Sequence, residues 1–383
     1  MMAYKVLVVV MIILVVWGLV ILSCGQDFDS LGPVLRGGEF VTKTDTQIMD
    51  VLNREMPKNF LFSPRSLREA LAVLYRGASG STKTTYENYF QRRGAQDMID
   101  WYQVNDRKLI VSGSVKIANS IWHTDKINLS GNYVASISKI CEIHEGAIVQ
   151  KDVNGWVSKK TDGLITSVPI DREAVFIIIN ALYFHDKWLK PFDSRRTEKE
   201  QFYLSKAAND FVFVPMMVNE IYMDYFTDDG YSAVNIPYKG PYSMLVTISG
   251  DDKFLTKNGL IELISKMTQE RVHVKIPKFS YEATYNLYPV ISQVNLGNIL
   301  NGEYRNMVGA NTLPISQIIQ KVRIEVDEVG TKAAAVTVIG VTSAAPSLTK
   351  KEIWFIANIP FNYYIIHSPS KDILFCGRYK GKN

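Results

Sequence analysis

Val175-Phe176-Ile177-Ile178-Ile179-Asn180-Ala181-Leu182-Tyr183-Phe184 shows no alternation of apolar and polar side chains. Successive strand residues point to opposite faces, so a strand apolar at every position must be covered on both sides. The run predicts a strand inside a covered sheet. Asn180 is the one amide within it. Left buried without a partner it would cost about 1–3 kcal/mol, so it is expected to bond to a neighbouring strand or to a buried hydroxyl.

Upstream, Asn59-Phe60-Leu61-Phe62 reads as a short apolar strand ending at Ser63-Pro64. Ser66 is then read as the cap of a helix carrying Leu67, Leu71 and Leu74, with Ala70 and Val73 beside them and Gly77 as its stop. An almost wholly apolar helix between polar caps predicts one buried inside the fold. Downstream, 211–214, 243–248, 272–276 and 354–359 have strand character, while 154–160 and 259–267 are later helical patterns. Helices first and strands later predict an α+β fold rather than alternating βαβ units.

The chain has 383 residues, 47% hydrophobic and 21% charged, with no Pro/Gly/Ser-rich linker to divide it. One large domain over 26–383 is expected, and no repeat period points to a solenoid. The net charge of +5 is scattered; Arg92-Arg93, Lys159-Lys160 and Arg195-Arg196 are its densest spots. These read as solvated faces, so no nucleic-acid partner is expected. Arg92, Arg93, Arg107 and Lys108 are the one place a polyanion could bind, and such binding is not expected either. The protein is expected to be a monomer.

Lys5 precedes an apolar run from Val6 to Leu22, followed by Ser23-Cys24-Gly25. This predicts a signal peptide over 1–25, cleaved after Gly25, or an uncleaved anchor with the same topology. Asp27 and Asp29 follow the run, so either case places the remainder outside the cell, and a secreted, extracellular protein is expected. Asn128-Leu129-Ser130 is then an N-glycosylation sequon. Cys141 and Cys376 are expected to be free and structural.

Enzyme motifs are missing. Gly77-Ala78-Ser79-Gly80-Ser81 falls short of a nucleophile elbow, His144-Glu145 lacks a second histidine at zinc spacing, and there is no phosphate loop. The five histidines are dispersed. No catalytic residue, metal or organic cofactor is predicted.

Several blocks in order resemble the serpin family. They are Asn59-Phe-Leu-Phe-Ser-Pro-Arg-Ser-Leu67 with Ala72-Val-Leu-Tyr-Arg-Gly-Ala78, then Ala118-Asn119-Ser120-Ile121-Trp122, and Asn154-Gly155-Trp156-Val157. Asn180-Ala-Leu-Tyr-Phe184 with Lys187-Trp188, Val214-Pro215-Met216-Met217, Ile236-Pro-Tyr-Lys-Gly240 and Ile276-Pro277-Lys278-Phe279 follow. Ile359-Pro360-Phe361 and Leu374-Phe-Cys-Gly-Arg378 complete the set, which spans about 45 to 379. The resemblance implies three β-sheets with about eight or nine helices and an exposed reactive loop over about 328–351. It also implies a suicide-substrate inhibitor, in which a target serine protease cleaves the loop and is carried along as the loop inserts into the main sheet. A non-inhibitory binding or carrier protein is the alternative.

Within that resemblance, Glu328-Val329-Gly330-Thr331-Lys332-Ala333-Ala334-Ala335 is similar to the inhibitory hinge. A loop that becomes a central strand must turn alternate residues to the core. From Thr331 the inward set is Thr331, Ala333, Ala335, Thr337, Ile339 and Val341, all small or apolar, while the charge of Lys332 falls outward. Gly330 is expected to let the backbone bend. The family's spacing from the hinge Glu places the scissile bond at Ala344-Ala345, which suits an elastase-like protease. Lys350 and Lys351, in a stretch longer than usual before Pro360, keep a trypsin-like protease possible. Ser63, Ser66, Asn180, Trp188 and Gln320 are the expected sheet-opening residues, with Gln320 standing where the family often has a histidine facing the central Asn.

Overall fold

The computed structural model describes residues 42–331 and 352–381, apart from 57–58, 92–93, 111–112, 206, 208, 250–252 and 310–311. The signal segment, Arg92, Arg93, Ala333, Ala334, Ala335, the Ala344-Ala345 bond, Lys350 and Lys351 lie outside the described residues.

The run that opened the sequence forms strand β4 (Phe176–Phe184), buried at every position. The two faces account for its missing alternation. Ile177 and Ile179 enter a small core with Trp122, Val153, Trp156 and Val157, whereas Phe176, Ile178 and Leu182 enter the main core. Helix α6 (Gln150–Lys160) covers the first face and α2 (Pro64–Gly77) lies in the second. β4 pairs antiparallel with β2 (Val115–His123) and parallel with β12 (Gln317–Val326). β3 (Glu142–Glu145) borders β2, and β11 (Phe279–Asn286) pairs with β12 on its other flank. Two short strands, β5 (Asp186–Lys187) and β13 (Gly330–Thr331), complete this seven-stranded sheet.

The remaining strands form a nine-stranded network. Its path runs β1 (Phe60–Phe62), β16 (Asp372–Tyr379), β15 (Phe361–His367), β9 (Tyr242–Ile248), β8 (Tyr231–Pro237), β7 (Phe211–Asp228), β10 (Thr268–Pro277), β14 (Ile353–Ile356), with β6 (Glu198–Tyr203) on β7. The expected three sheets thus appear as two hydrogen-bonded networks among the described residues. The reason is β7: its 18 residues pair with β6 and β10 along most of their length and with β8 at their end, joining what would otherwise be two sheets. Nine α-helices are seen among the described residues, in line with the expected α+β class.

Helix α2 corrects two expectations. Its cap is Ser63 rather than Ser66: Pro64 takes the first helical position, and the Ser63 hydroxyl accepts from the Ser66 N–H at 3.1 Å. Its buried surface is also far from wholly apolar, because Arg65, Arg68 and Glu69 are all fully buried. Gly77 is required less for a turn than for a close approach, since a Cβ there would lie 2.6 Å from Met307 Cβ.

Candidate functional site: the hinge and the central strands

The site is built where β12 ends. Asp327 turns the chain: its side chain accepts from the Val329 and Gly330 N–H groups at 2.8 and 3.0 Å, and its own N–H donates to the Gly330 carbonyl at 2.9 Å. An aspartate bonding to its own backbone two and three residues on is a recurrent turn device. The turn folds Gly330-Thr331 back as β13 against Val326 of β12 on one side and against Asp186-Lys187 of β5 on the other.

Among the described residues, Glu328, Gly330 and Thr331 of the hinge are each held. Glu328 accepts from Thr197 Oγ1 at 2.9 Å and pairs with Lys278 Nζ at 2.7 Å. Burial alone would raise its pKa, but the donors from Lys278, the backbone and Thr197 outweigh that and hold it below the ordinary glutamate value. Thr331 has no exposure, and its hydroxyl meets Tyr238 OH at 2.6 Å. Gly330 is not among the residues with a left-handed backbone. Glycine is needed because a Cβ would meet the Asp186 carbonyl oxygen at 2.1 Å. Asp186 is itself buried, which raises its pKa, although the Lys187 and Gly240 N–H groups partly offset this.

Trp188 sits beneath the turn with no exposure, stacked on Tyr238 at 4.3 Å between centroids. Its indole N–H donates to the Asp327 carbonyl at 2.8 Å, and its backbone N–H to Val329 O at 2.9 Å. The hinge is therefore latched to the end of β4 by Trp188 and β5.

Lower in the sheet, Asn119, Asn180 and Gln320 stand opposite one another on β2, β4 and β12. Asn180 Nδ2 donates to Asn119 Oδ1, which meets the expectation of a neighbouring-strand partner. Asn119 in turn donates to Glu69 at 3.1 Å and to the Ile140 carbonyl at 3.2 Å. Gln320, only 1% exposed, ignores Asn180 and clasps Ser63: its Oε1 accepts the Ser63 N–H at 3.0 Å and its amide donates to Ser63 O at 2.8 Å. Ser63 Oγ donates to Leu374 O at 2.6 Å. Ser63, Asn180 and Gln320 are brought to the junction of the two central strands with α2, while Trp188 belongs to the hinge. Ser66 lies one turn inside α2 and bonds Ser63 rather than either central strand.

Sequence reading missed the charge cluster beneath this row. Arg65 contacts Glu69 at 2.7 Å and Asp106 at 2.5 Å, and Arg68 contacts Asp45 at 3.1 Å. Arg65 also lies 5.0 Å from the Trp101 ring and 4.7 Å from that of Tyr102. The available signal was the pair Arg65/Glu69 at i, i+4 on a helix whose other residues demand burial. Lys278, Thr197 and Tyr238 were also missed as hinge partners, because they come from segments far away in sequence.

Asn128 is exposed ahead of α5 (Gly131–Ile137), whose cap is Ser130. Cys141 and Cys376 are free and buried, and burial pushes both thiols up. Among the described residues no group of His, Cys, Asp and Glu could hold a metal, and no helix is long and apolar enough to cross a membrane.

A family model for serpins (serine protease inhibitors) matches residues 43–380. Leukocyte elastase inhibitor A of Mus musculus is 27% identical, with 87% of this chain and 96% of that protein aligned. An uncharacterized serpin-like protein of Thermococcus kodakarensis is 30% identical over 84% of this chain and 80% of its own length. The crystal structure of a highly specific serpin of the insect Tenebrio molitor superposes with a TM-score of 0.77 at 25% identity, covering 91% of this chain and 100% of that one.

Proposed function

The chain belongs to the serpin family, and from that membership we propose that it is a secreted suicide-substrate inhibitor of an extracellular serine protease, and not an enzyme. The observation that carries the reading is the pairing of β4 with β12. They are parallel neighbours, hydrogen-bonded from Gln317↔Ile177 to Arg323↔Tyr183, and the chain leaving β12 already turns back antiparallel at Gly330-Thr331. A strand continuing from Thr331 would run antiparallel to both neighbours. It would exchange one parallel interface for two antiparallel ones, which are slightly more stable per residue. The small and apolar inward set from Thr331 to Val341 suits such a strand, and the outward Lys332 keeps its charge off the core.

In this mechanism the protease serine attacks the Ala344 carbonyl, the bond to Ala345 breaks with release of its amine, and the protease, now held as an ester of Ala344, is displaced as the severed loop enters between β4 and β12. Alanine before the cut fits a small pocket, so an elastase-like enzyme is the favoured target; the elastase inhibitors among the relatives support this. Secretion rests on the apolar run from Val6 to Leu22, and a glycan at Asn128 would follow from it.

Incubation of the purified protein with elastase-, trypsin- and chymotrypsin-like proteases tests the proposal. An SDS-stable complex with an N-terminus at Ala345 on the released peptide is expected. Cleavage of the loop without a surviving complex in every case would defeat it.

A further inference from the structure

The row Asn119, Asn180, Gln320 crosses β2, β4 and β12, and helix α2 bridges its two ends. At the β12 end, Gln320 clasps Ser63 at the helix cap, and the Ser63 hydroxyl donates to Leu374 O of β16. At the β2 end, Glu69 Oε2 accepts from Asn119 Nδ2 at 3.1 Å. The other carboxylate oxygen of Glu69 accepts from Arg65 Nε at 2.7 Å, which fixes the group in place beneath β2. Glu69 has no exposure and Arg65 only 2%, so this is a charge placed deliberately far from water.

The span of the helix matches the closed sheet. β2 and β12 lie two strand spacings apart, roughly 10 Å. Glu69 stands six positions after Ser63, about 9 Å along the helix. A strand entering between β4 and β12 would put β2 three spacings from β12, about 14 Å. A rigid helix cannot keep hold of both ends across that gap, so one link has to break. The β12 end is held by two bonds to the Ser63 backbone and by a third from its hydroxyl into the other sheet. The β2 end rests on the bond between Glu69 and Asn119.

We propose that Glu69 is a positioning residue for loop insertion: its bond to Asn119 keeps β2 and β4 against β12, and its release lets the sheet part. The inference rests on the inhibitory reading and names a residue that sets how readily the sheet opens. An ionised acceptor suits the task, because its hydrogen bonds are roughly twice as strong as those between neutral groups. Arg65 also reaches Asp106 at 2.5 Å and Asp372 at 3.7 Å. It therefore stays paired when Glu69 loses its charge, and the link can be weakened without leaving a bare buried cation.

The test holds the uncut full-length protein at one temperature beside Glu69→Gln, Glu69→Met, Asn119→Ser and the Glu69→Met/Asn119→Ser double variant. The appearance of heat-resistant molecules that no longer trap protease is timed. Glu69→Met should convert roughly tenfold or more faster than the wild type. Glu69→Gln keeps an acceptor without the charge and should fall between them. The double variant should convert no faster than Asn119→Ser alone, because both substitutions cut one link. Wild-type rates in both Glu69 variants overturn the proposal and leave the inhibitory reading standing. Effects that multiply in the double variant assign Glu69 to general stability and also overturn it. If Glu69→Met does not fold, Glu69→Gln, Asn119→Ser and their double variant carry the same comparison. A wild type that traps no protease removes the inhibitory reading, and this inference with it.

Discussion

Arg65 is a cation with almost no contact with water, held by Glu69, Asp106 and two aromatic rings under the central strands. Breaking one member of such a cluster leaves an uncompensated buried charge. Arg65→Ala is expected to cost about 3–5 kcal/mol, read as a lower urea midpoint at unchanged slope. A loss below about 1 kcal/mol would mean that the cluster is solvated in solution. Gly330 acts through space rather than through backbone freedom. In Gly330→Ala the new methyl cannot coexist with the Asp186 carbonyl 2.1 Å away, so β13 must leave β5. The loop should still be cut, but the stoichiometry of inhibition should rise as more molecules behave as substrate. A variant that titrates protease as the wild type does would remove the close approach from the mechanism. Glycine at the hinge was legible in sequence; its reason was not, because Asp186 lies 144 positions upstream.

At the scale of the element, the hinge turn is a latch in which Glu328 and Asp186 titrate in opposite senses, Glu328 lowered and Asp186 raised. Glu328 lies below the ordinary glutamate pKa because the donors from Lys278 and Thr197 outweigh its burial. A carboxylate depressed in the folded state stabilises that state above its unfolded pKa, about 4.3. That stabilisation is lost as pH falls through the lower folded value. Acidification below about pH 4 should therefore loosen the turn. The intact protein is expected to convert faster to an uncleaved, inserted form, followed by resistance to protease and to heat. Glu328→Gln should convert at a rate that is flat over the same range. An equally steep pH dependence in that variant would assign the effect to other carboxylates. The strand β4, its buried amide and the helix α2 were legible because periodicity and capping residues are local signals. The cap itself was misplaced by three residues, since Pro64 at the first helical position outranked the hydroxyl of Ser66.

For the whole molecule, the proposed inserted state continues from the already buried Thr331 and adds Ala333, Ala335, Thr337, Ile339 and Val341 between β4 and β12. At about 25 cal/mol per Å² of apolar surface, that burial adds several kcal/mol. The molecule nicked between Ala344 and Ala345 should melt more than about 10 °C above the intact one. Calorimetry before and after limited proteolysis decides this. Equal melting temperatures would mean that the cut ends stay outside the sheet.

The sequence by itself determined the α+β class, the doubly buried central strand, the free cysteines and the family's ordered blocks, because each is written in neighbouring residues or in short spacings. Only the tertiary structure decided that Gln320 clasps Ser63 instead of Asn180, that Asn119 carries the link from Asn180 to Glu69, and that Trp188, Tyr238, Thr197 and Lys278 hold the hinge. Those contacts join residues up to 257 positions apart. A side chain's choice among several distant partners is set by strand register and packing distance, which no local pattern of residues encodes.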